Sequence, residues 1–111
     1  MKTPGPLLSI CIPTYNRAKF LQKTLESITT QAQFIETNDI EIVISDNCSE
    51  DDTRSVSEFF TETFPTKVKY HRNSVNIGAG KNFETVLAIA SGEYLKLHND
   101  NLLVRTGSLT E

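Results

Sequence analysis

Four short polar clusters carry the residue types from which a chemical site could be built. They are Thr14-Tyr15-Asn16-Arg17, Asp46-Asn47 with Ser49, the stretch from Asn73 to Lys81, and Asn99-Asp100-Asn101. A carboxylate such as Asp46 accepts hydrogen bonds from a base or a ribose. Asp100 offers the oxygen ligand that a hard divalent cation prefers, with waters completing the shell. Lys81 follows the glycine pair Gly78 and Gly80. It stands at an expected helix N-terminus, where backbone N–H groups and an ammonium both favour phosphate. Arg17 stands at another helix start, within reach of the same kind of anion. Together these groups describe a site for a nucleoside diphosphate and a metal. Any one cluster alone would be an ordinary loop: Asp46 and Ser49 suit a helix cap, Asp100 a turn.

The elements between the clusters must bring them together. Leu7 to Ile12 is an apolar run ended by Pro13, as expected for a strand buried on both faces of a parallel sheet. From Lys19 to about Gln31 the spacing of Leu21, Leu25, Ile28 and Ala32 predicts a helix. Ile40 to Ser45 is the second strand. Ser49 with Asp52 three residues on resembles the start of a second helix, reaching about Phe64 with Val56, Phe59, Phe60 and Phe64 inward. Val68 to His71 is a third strand. A third helix covers Lys81 to Ala90, with Phe83, Val86, Leu87 and Ala90 on its apolar stripe and Gly92 in the closing cap. Tyr94 to Leu97 is the fourth strand.

Strands and helices that alternate with short connections predict an α/β fold: a parallel sheet flanked by helices, with about four strands and three helices. In such a sheet, ligands bind beyond the carboxyl ends of the strands. All four polar clusters fall there. The functional reading therefore needs Thr14, Asp46 and Asp100 at one rim of the sheet.

Bulk properties exclude several classes. The chain has 111 residues, suited to one small domain, and a net charge of −3, which is unfavourable for gripping nucleic acid. Cys11 and Cys48 have neither metal-ligand nor disulfide-framework spacing, and Cys11 reads as a buried small hydrophobe. Residues 1–6 read as a disordered leader without the apolar core of a signal peptide. No apolar stretch reaches the roughly 18 residues of a membrane span. A cytoplasmic setting is expected, with any membrane association arising outside this chain. His71 and His98 are expected to be structural or solvent-facing. Gly78-Ala79-Gly80-Lys81 is not a P-loop, since Val75 and Asn82 occupy its required glycine and hydroxyl positions. The loop after the first strand lacks the glycines of a dinucleotide fingerprint.

The motifs, taken in order, resemble those of family 2 glycosyltransferases of the GT-A fold. Ser9 to Arg17 is similar to that family's opening strand, and Ile44 to Asp51 to its second-strand motif. Asn76 to Asn82 is similar to its asparagine-x-glycine loop, and Gly92 to Leu97 leads into the place of its Asp-x-Asp metal motif. The similarity spans about Leu8 to Leu109. It implies a Rossmann-like GT-A sheet, of which residues 7–111 form the nucleotide-sugar-binding half. It also implies inverting transfer of a sugar from a nucleotide-diphosphate sugar, such as a UDP-sugar, to a hydroxyl of a glycan or lipid-linked acceptor. Pro13, Thr14 and Tyr15 would line base and ribose, and Asp46 would bond the base. Asn16, Arg17, Asn47, Ser49, Gly78 and Lys81 would complete the donor site. Asp100 would hold Mn2+ or Mg2+, with Asn99 and Asn101 contacting ribose, phosphate or metal-bound water.

Two asparagines stand where the family usually carries aspartates, so weaker metal affinity is expected. The general base is expected beyond Glu111, and residues 106–111 read as the first turn of an interrupted helix. The isolated chain is therefore expected to bind nucleotide and to transfer sugar poorly. Two other readings compete: a non-catalytic binding module with a degenerate transferase fold, and a nucleotidyltransferase-like domain. The latter would show a glycine-rich basic loop after strand one.

Overall fold

The computed structural model describes residues 5–98. The site expected at Asn99, Asp100 and Asn101 and the helical turn expected at residues 106–111 lie outside them. The strands are β1 (Leu8–Thr14), β2 (Ile40–Asp46), β3 (Val68–Arg72) and β4 (Tyr94–Leu97). They form one parallel sheet in the order β3-β2-β1-β4. The helices are α1 (Ala18–Thr29), α2 (Ala32–Glu36), α3 (Thr53–Thr63) and α4 (Ala79–Ile89). The chain winds outward from β1 to β3, then crosses to the other side of β1 to lay down β4.

Alternation along the two central strands sorts the core into two layers. Ile10, Ile12, Ile42 and Ile44 face α1, α2 and α3, meeting Leu21, Leu25, Ile28, Phe34 and Phe60. Cys11 and Val43 point the other way, beneath Val86 of α4, so Cys11 is indeed a buried hydrophobe. Both faces of β2 are covered and all seven of its residues are buried. That coverage explains its near-continuous apolar run.

Several local expectations are corrected. The described residues form four helices, not three, because the first helical stretch breaks at Thr30. The Thr30 hydroxyl donates back to the Glu26 carbonyl, and Gln31 turns extended at ψ 142°. Ala32 then starts α2 and is exposed, while Phe34 fills the core. Helix α3 begins at Thr53, not Ser49, because Asp51 accepts the Thr53 N–H and the Ser49 hydroxyl serves another loop. Its buried stripe runs through Thr53, Ser57 and Phe60. Phe59, about 100° further round the helix, is 62% exposed rather than inward. Helix α4 starts two residues earlier than expected and Phe83 is not buried. Gly92 is no helix cap. A Cβ there would lie 2.6 Å from the Ser9 hydroxyl oxygen and 2.8 Å from the Ser9 nitrogen, so glycine permits β4 to close against β1.

Candidate functional site

The register sets the carboxyl ends of three strands level: Thr14 lies beside Asp46, and Asp46 beside Arg72. Thr14 and Asp46 thus meet at one rim; Asp100, the third residue the functional reading places there, lies outside the described residues. The connections leaving this rim are tied to one another. Asn16, in the left-handed region at φ 50°, donates its N–H to the Ser49 hydroxyl (2.8 Å) and accepts the Glu50 N–H (2.7 Å). Asp51 accepts the Ala18 N–H (3.1 Å) at the start of α1 as well as the Thr53 N–H of α3.

Asp46 is fully buried and its oxygens are engaged within the chain. One accepts the Ser49 N–H (2.9 Å) and the other the Tyr70 hydroxyl (2.6 Å). The Arg72 guanidinium lies 3.9 Å away and donates to the Ser49 carbonyl (3.1 Å). Burial first, and the hydrogen bond to Asp46 second, hold the Tyr70 phenol well above its ordinary pKa. Asp46 therefore shapes the loop behind the site.

Beside it a web of carboxamides links β2, β3 and α4. Asn82 accepts the Ser45 hydroxyl (2.7 Å) and an Asn73 N–H (2.9 Å), and donates to the Ser45 carbonyl (2.9 Å). Asn73 donates its second N–H to Asn47 (3.1 Å), and its oxygen meets His71 Nε2 at 2.8 Å. Asn47 also accepts the Ile77 N–H (2.9 Å) and donates to Asn76 (2.8 Å), which accepts the Gly78 N–H (2.8 Å). Such a web makes buried polar groups tolerable inside a core.

The web forms one wall of an open cavity of about 450 Å³. Buried Thr14, Asn47 and Asn82 make its floor. Pro13, Tyr15, Phe83 and Ala79 supply apolar sides, and Arg17 and Asn76 stand at the rim. Arg17 also lies over the Phe20 ring, 5.9 Å from its centroid. Among the expected residues, Pro13, Thr14, Tyr15, Arg17 and Asn47 line the cavity. Asn16, Asp46 and Ser49 stand behind the wall. Gly78, at φ 90°, precedes α4, and Lys81 is exposed in its first turn without lining the cavity.

Asn82 and Phe83 were not foreseen as site residues, and Asn73 and Asn76 entered only as part of the polar stretch from Asn73 to Lys81. A signal existed for Asn82: a poor helix former set next to an apolar helical stripe needs a buried partner. Among the described residues no three His, Cys, Asp or Glu side chains cluster as metal ligands, and no helix is long and apolar enough to cross a membrane.

Comparison with known proteins agrees with this arrangement. The family described as "Glycosyl transferase family 2" matches residues 9–110. The abequosyltransferase RfbV of Salmonella typhimurium is 43% identical over 88 residues, covering 79% of this chain and 26% of its own. A GalNAc(5)-diNAcBac-PP-undecaprenol beta-1,3-glucosyltransferase of Campylobacter jejuni is 34% identical over 106 residues, covering 95% of this chain and 33% of its own. The chain thus spans about a quarter to a third of these relatives. Among solved structures, S. aureus TarS in complex with UDP superposes with a TM-score of 0.81 at 26% identity, over 93% of this chain and 30% of that one. The mannosyltransferase PcManGT from Pyrobaculum calidifontis, in complex with GDP-Man and Mn2+, gives 0.76 at 26% identity, over 91% and 29%.

Proposed function

The chain belongs to glycosyl transferase family 2, and we propose that its cavity binds the nucleotide of a nucleotide-diphosphate sugar whose sugar is transferred, with inversion, to an acceptor hydroxyl. The observation that carries this reading is the cavity itself: a buried amide floor and apolar sides beside a single guanidinium at the mouth. A flat base is less costly to remove from water than a diphosphate. The base therefore takes the floor between Pro13, Tyr15 and Phe83, and the diphosphate stays at the rim with Arg17. Lys81, exposed in the first turn of α4, adds positive charge near the N-terminus of that helix without lining the cavity.

Asp100, flanked by Asn99 and Asn101, supplies an all-oxygen donor set, which suits Mg2+ or Mn2+. Such a cation would neutralise charge on the leaving diphosphate. No carboxylate lines the cavity among the described residues, so no general base is assigned. The acceptor fits a glycan or lipid-linked saccharide, and the setting a cytoplasmic one with membrane association through other regions.

The test is calorimetric titration of the chain with CDP, UDP and GDP, with and without Mn2+. Binding of at least one diphosphate, strengthened by Mn2+, is expected, with little sugar transfer by this chain alone. Failure of every nucleoside diphosphate to bind would overturn the reading.

A further inference from the structure

We propose that Asn47 selects the base, favouring one that presents a ring-nitrogen acceptor, as cytosine does, over one that presents an imide N–H, as uracil does. The inference rests on the nucleotide reading above and deepens it.

Backbone groups fix which way the amides of the web point. The Ile77 N–H can only donate, so the Asn47 atom it meets is the oxygen; the Gly78 N–H fixes the Asn76 oxygen in the same way. The Ser45 carbonyl can only accept, so it meets the Asn82 nitrogen. Asn73 then gives both its N–H groups to the two oxygens thus defined, on Asn47 and Asn82. Each of the Asn47, Asn76 and Asn82 oxygens already accepts two hydrogen bonds.

A carboxamide has two N–H donors and two acceptor lone pairs. Asn47 uses both lone pairs and one N–H within the web. A single N–H remains, on a side chain only 3% exposed at the floor of the cavity. Asn82, equally buried, likewise has one N–H left after its bond to the Ser45 carbonyl. The amide floor therefore offers a ligand donors and no strong acceptor. A base that turns an acceptor toward it completes the inventory. One that turns an N–H toward it leaves two donors facing each other away from water.

Cytosine and uracil make the sharpest comparison, because their rings have the same shape and differ at this edge. The chain should bind CDP about tenfold more tightly than UDP at fixed Mn2+, the effect expected of one buried unsatisfied donor. Asn47→Asp replaces the amide nitrogen, and with it both the remaining N–H and the one given to Asn76, with an acceptor, while the carboxylate still receives the Ile77 and Asn73 donors. It should narrow or reverse the preference. UDP binding as tightly as CDP to the wild-type chain would overturn the inference, whether or not the variant folds. An unchanged CDP preference in a folded Asn47→Asp would overturn it as well. Failure of all diphosphates to bind instead strikes the nucleotide reading itself.

Discussion

Two polar clusters lie under helix α4 on the same face of the sheet, one toward each end of the strands. Toward the amino end, Glu41 is 3% exposed beside its register partner Ser9. It accepts the Ser9 hydroxyl (2.5 Å), the Ser91 N–H (2.7 Å) and the Ser91 hydroxyl (3.0 Å), and Lys69 Nζ lies 2.9 Å away. Ser9 in turn accepts the Gly92 N–H. At the carboxyl end stands the asparagine web. The first cluster is charged and saturated by its neighbours, and it stitches the turn after α4 to the sheet. The second is neutral, keeps unused donors and borders a cavity. Saturation marks a group that stabilises the fold, and residual capacity beside a cavity marks one that can meet a ligand.

Breaking the saturated cluster should have the largest effect on stability. Glu41→Ala removes the acceptor for four donor groups and leaves a small cavity, at a cost of about 3 kcal/mol. The urea midpoint should fall without a change in slope, and nucleotide affinity of the folded fraction should remain. A loss of affinity larger than the loss of stability would erase the distinction between the clusters.

Asn82→Ala tests the other side. It strands the Ser45 hydroxyl and carbonyl and one Asn73 N–H, so a loss of about 1–3 kcal/mol is expected. Here affinity should fall with stability, because Asn73 no longer holds Asn47 in place. Titration of the variant well below its melting temperature separates the two effects. Intact nucleotide affinity there would reduce the web to packing.

The two clusters were unequally legible in the sequence. Strands β1 and β2 announced themselves as apolar runs, and the polar residues at their ends followed from where a parallel sheet binds ligands. Asp46 was read as a ligand contact because a carboxylate after a strand suggests chemistry. Its engagement by Tyr70 and Ser49 depends on the register of β3, which no local pattern encodes. Glu41 is one residue of the second strand with nothing local to mark its partners, and the turn at Ser91, fifty residues on, supplies two of its donors. Asn82 was hidden for a related reason. A helical stripe is traced through apolar residues, so a buried amide within it escapes notice until its partners on β2 and β3 are placed.

Acid should distinguish the clusters more finely. Burial raises the pKa of Glu41, but the hydrogen bonds from Ser9, Ser91 and Lys69 outweigh it and the net direction is down from 4.5. A lowered folded pKa means the charge contributes stability above the unfolded value, and that contribution is lost as pH falls through the folded one. The stability deficit of Glu41→Gln relative to wild type should therefore be present at neutral pH and shrink below about pH 4.5, followed by urea midpoints across that range. A deficit that stays constant into acid would mean that shape, not charge, is what the cluster requires.

The smallest effect expected on the fold comes from the rim. Arg17 is exposed and its ring contact with Phe20 is partly solvated, so Arg17→Ala should change stability by less than about 0.5 kcal/mol. Its guanidinium nevertheless stands where the diphosphate would emerge. Affinity for a nucleoside diphosphate should fall about threefold to tenfold, and the salt dependence of binding should flatten, because a partly solvated charge is screened by added ions. The free nucleoside, which carries no phosphate, should bind the variant and the wild type alike. Equal losses for nucleoside and diphosphate would move Arg17 from the phosphate end of the cavity to its base end, and would turn the proposed orientation of the ligand around.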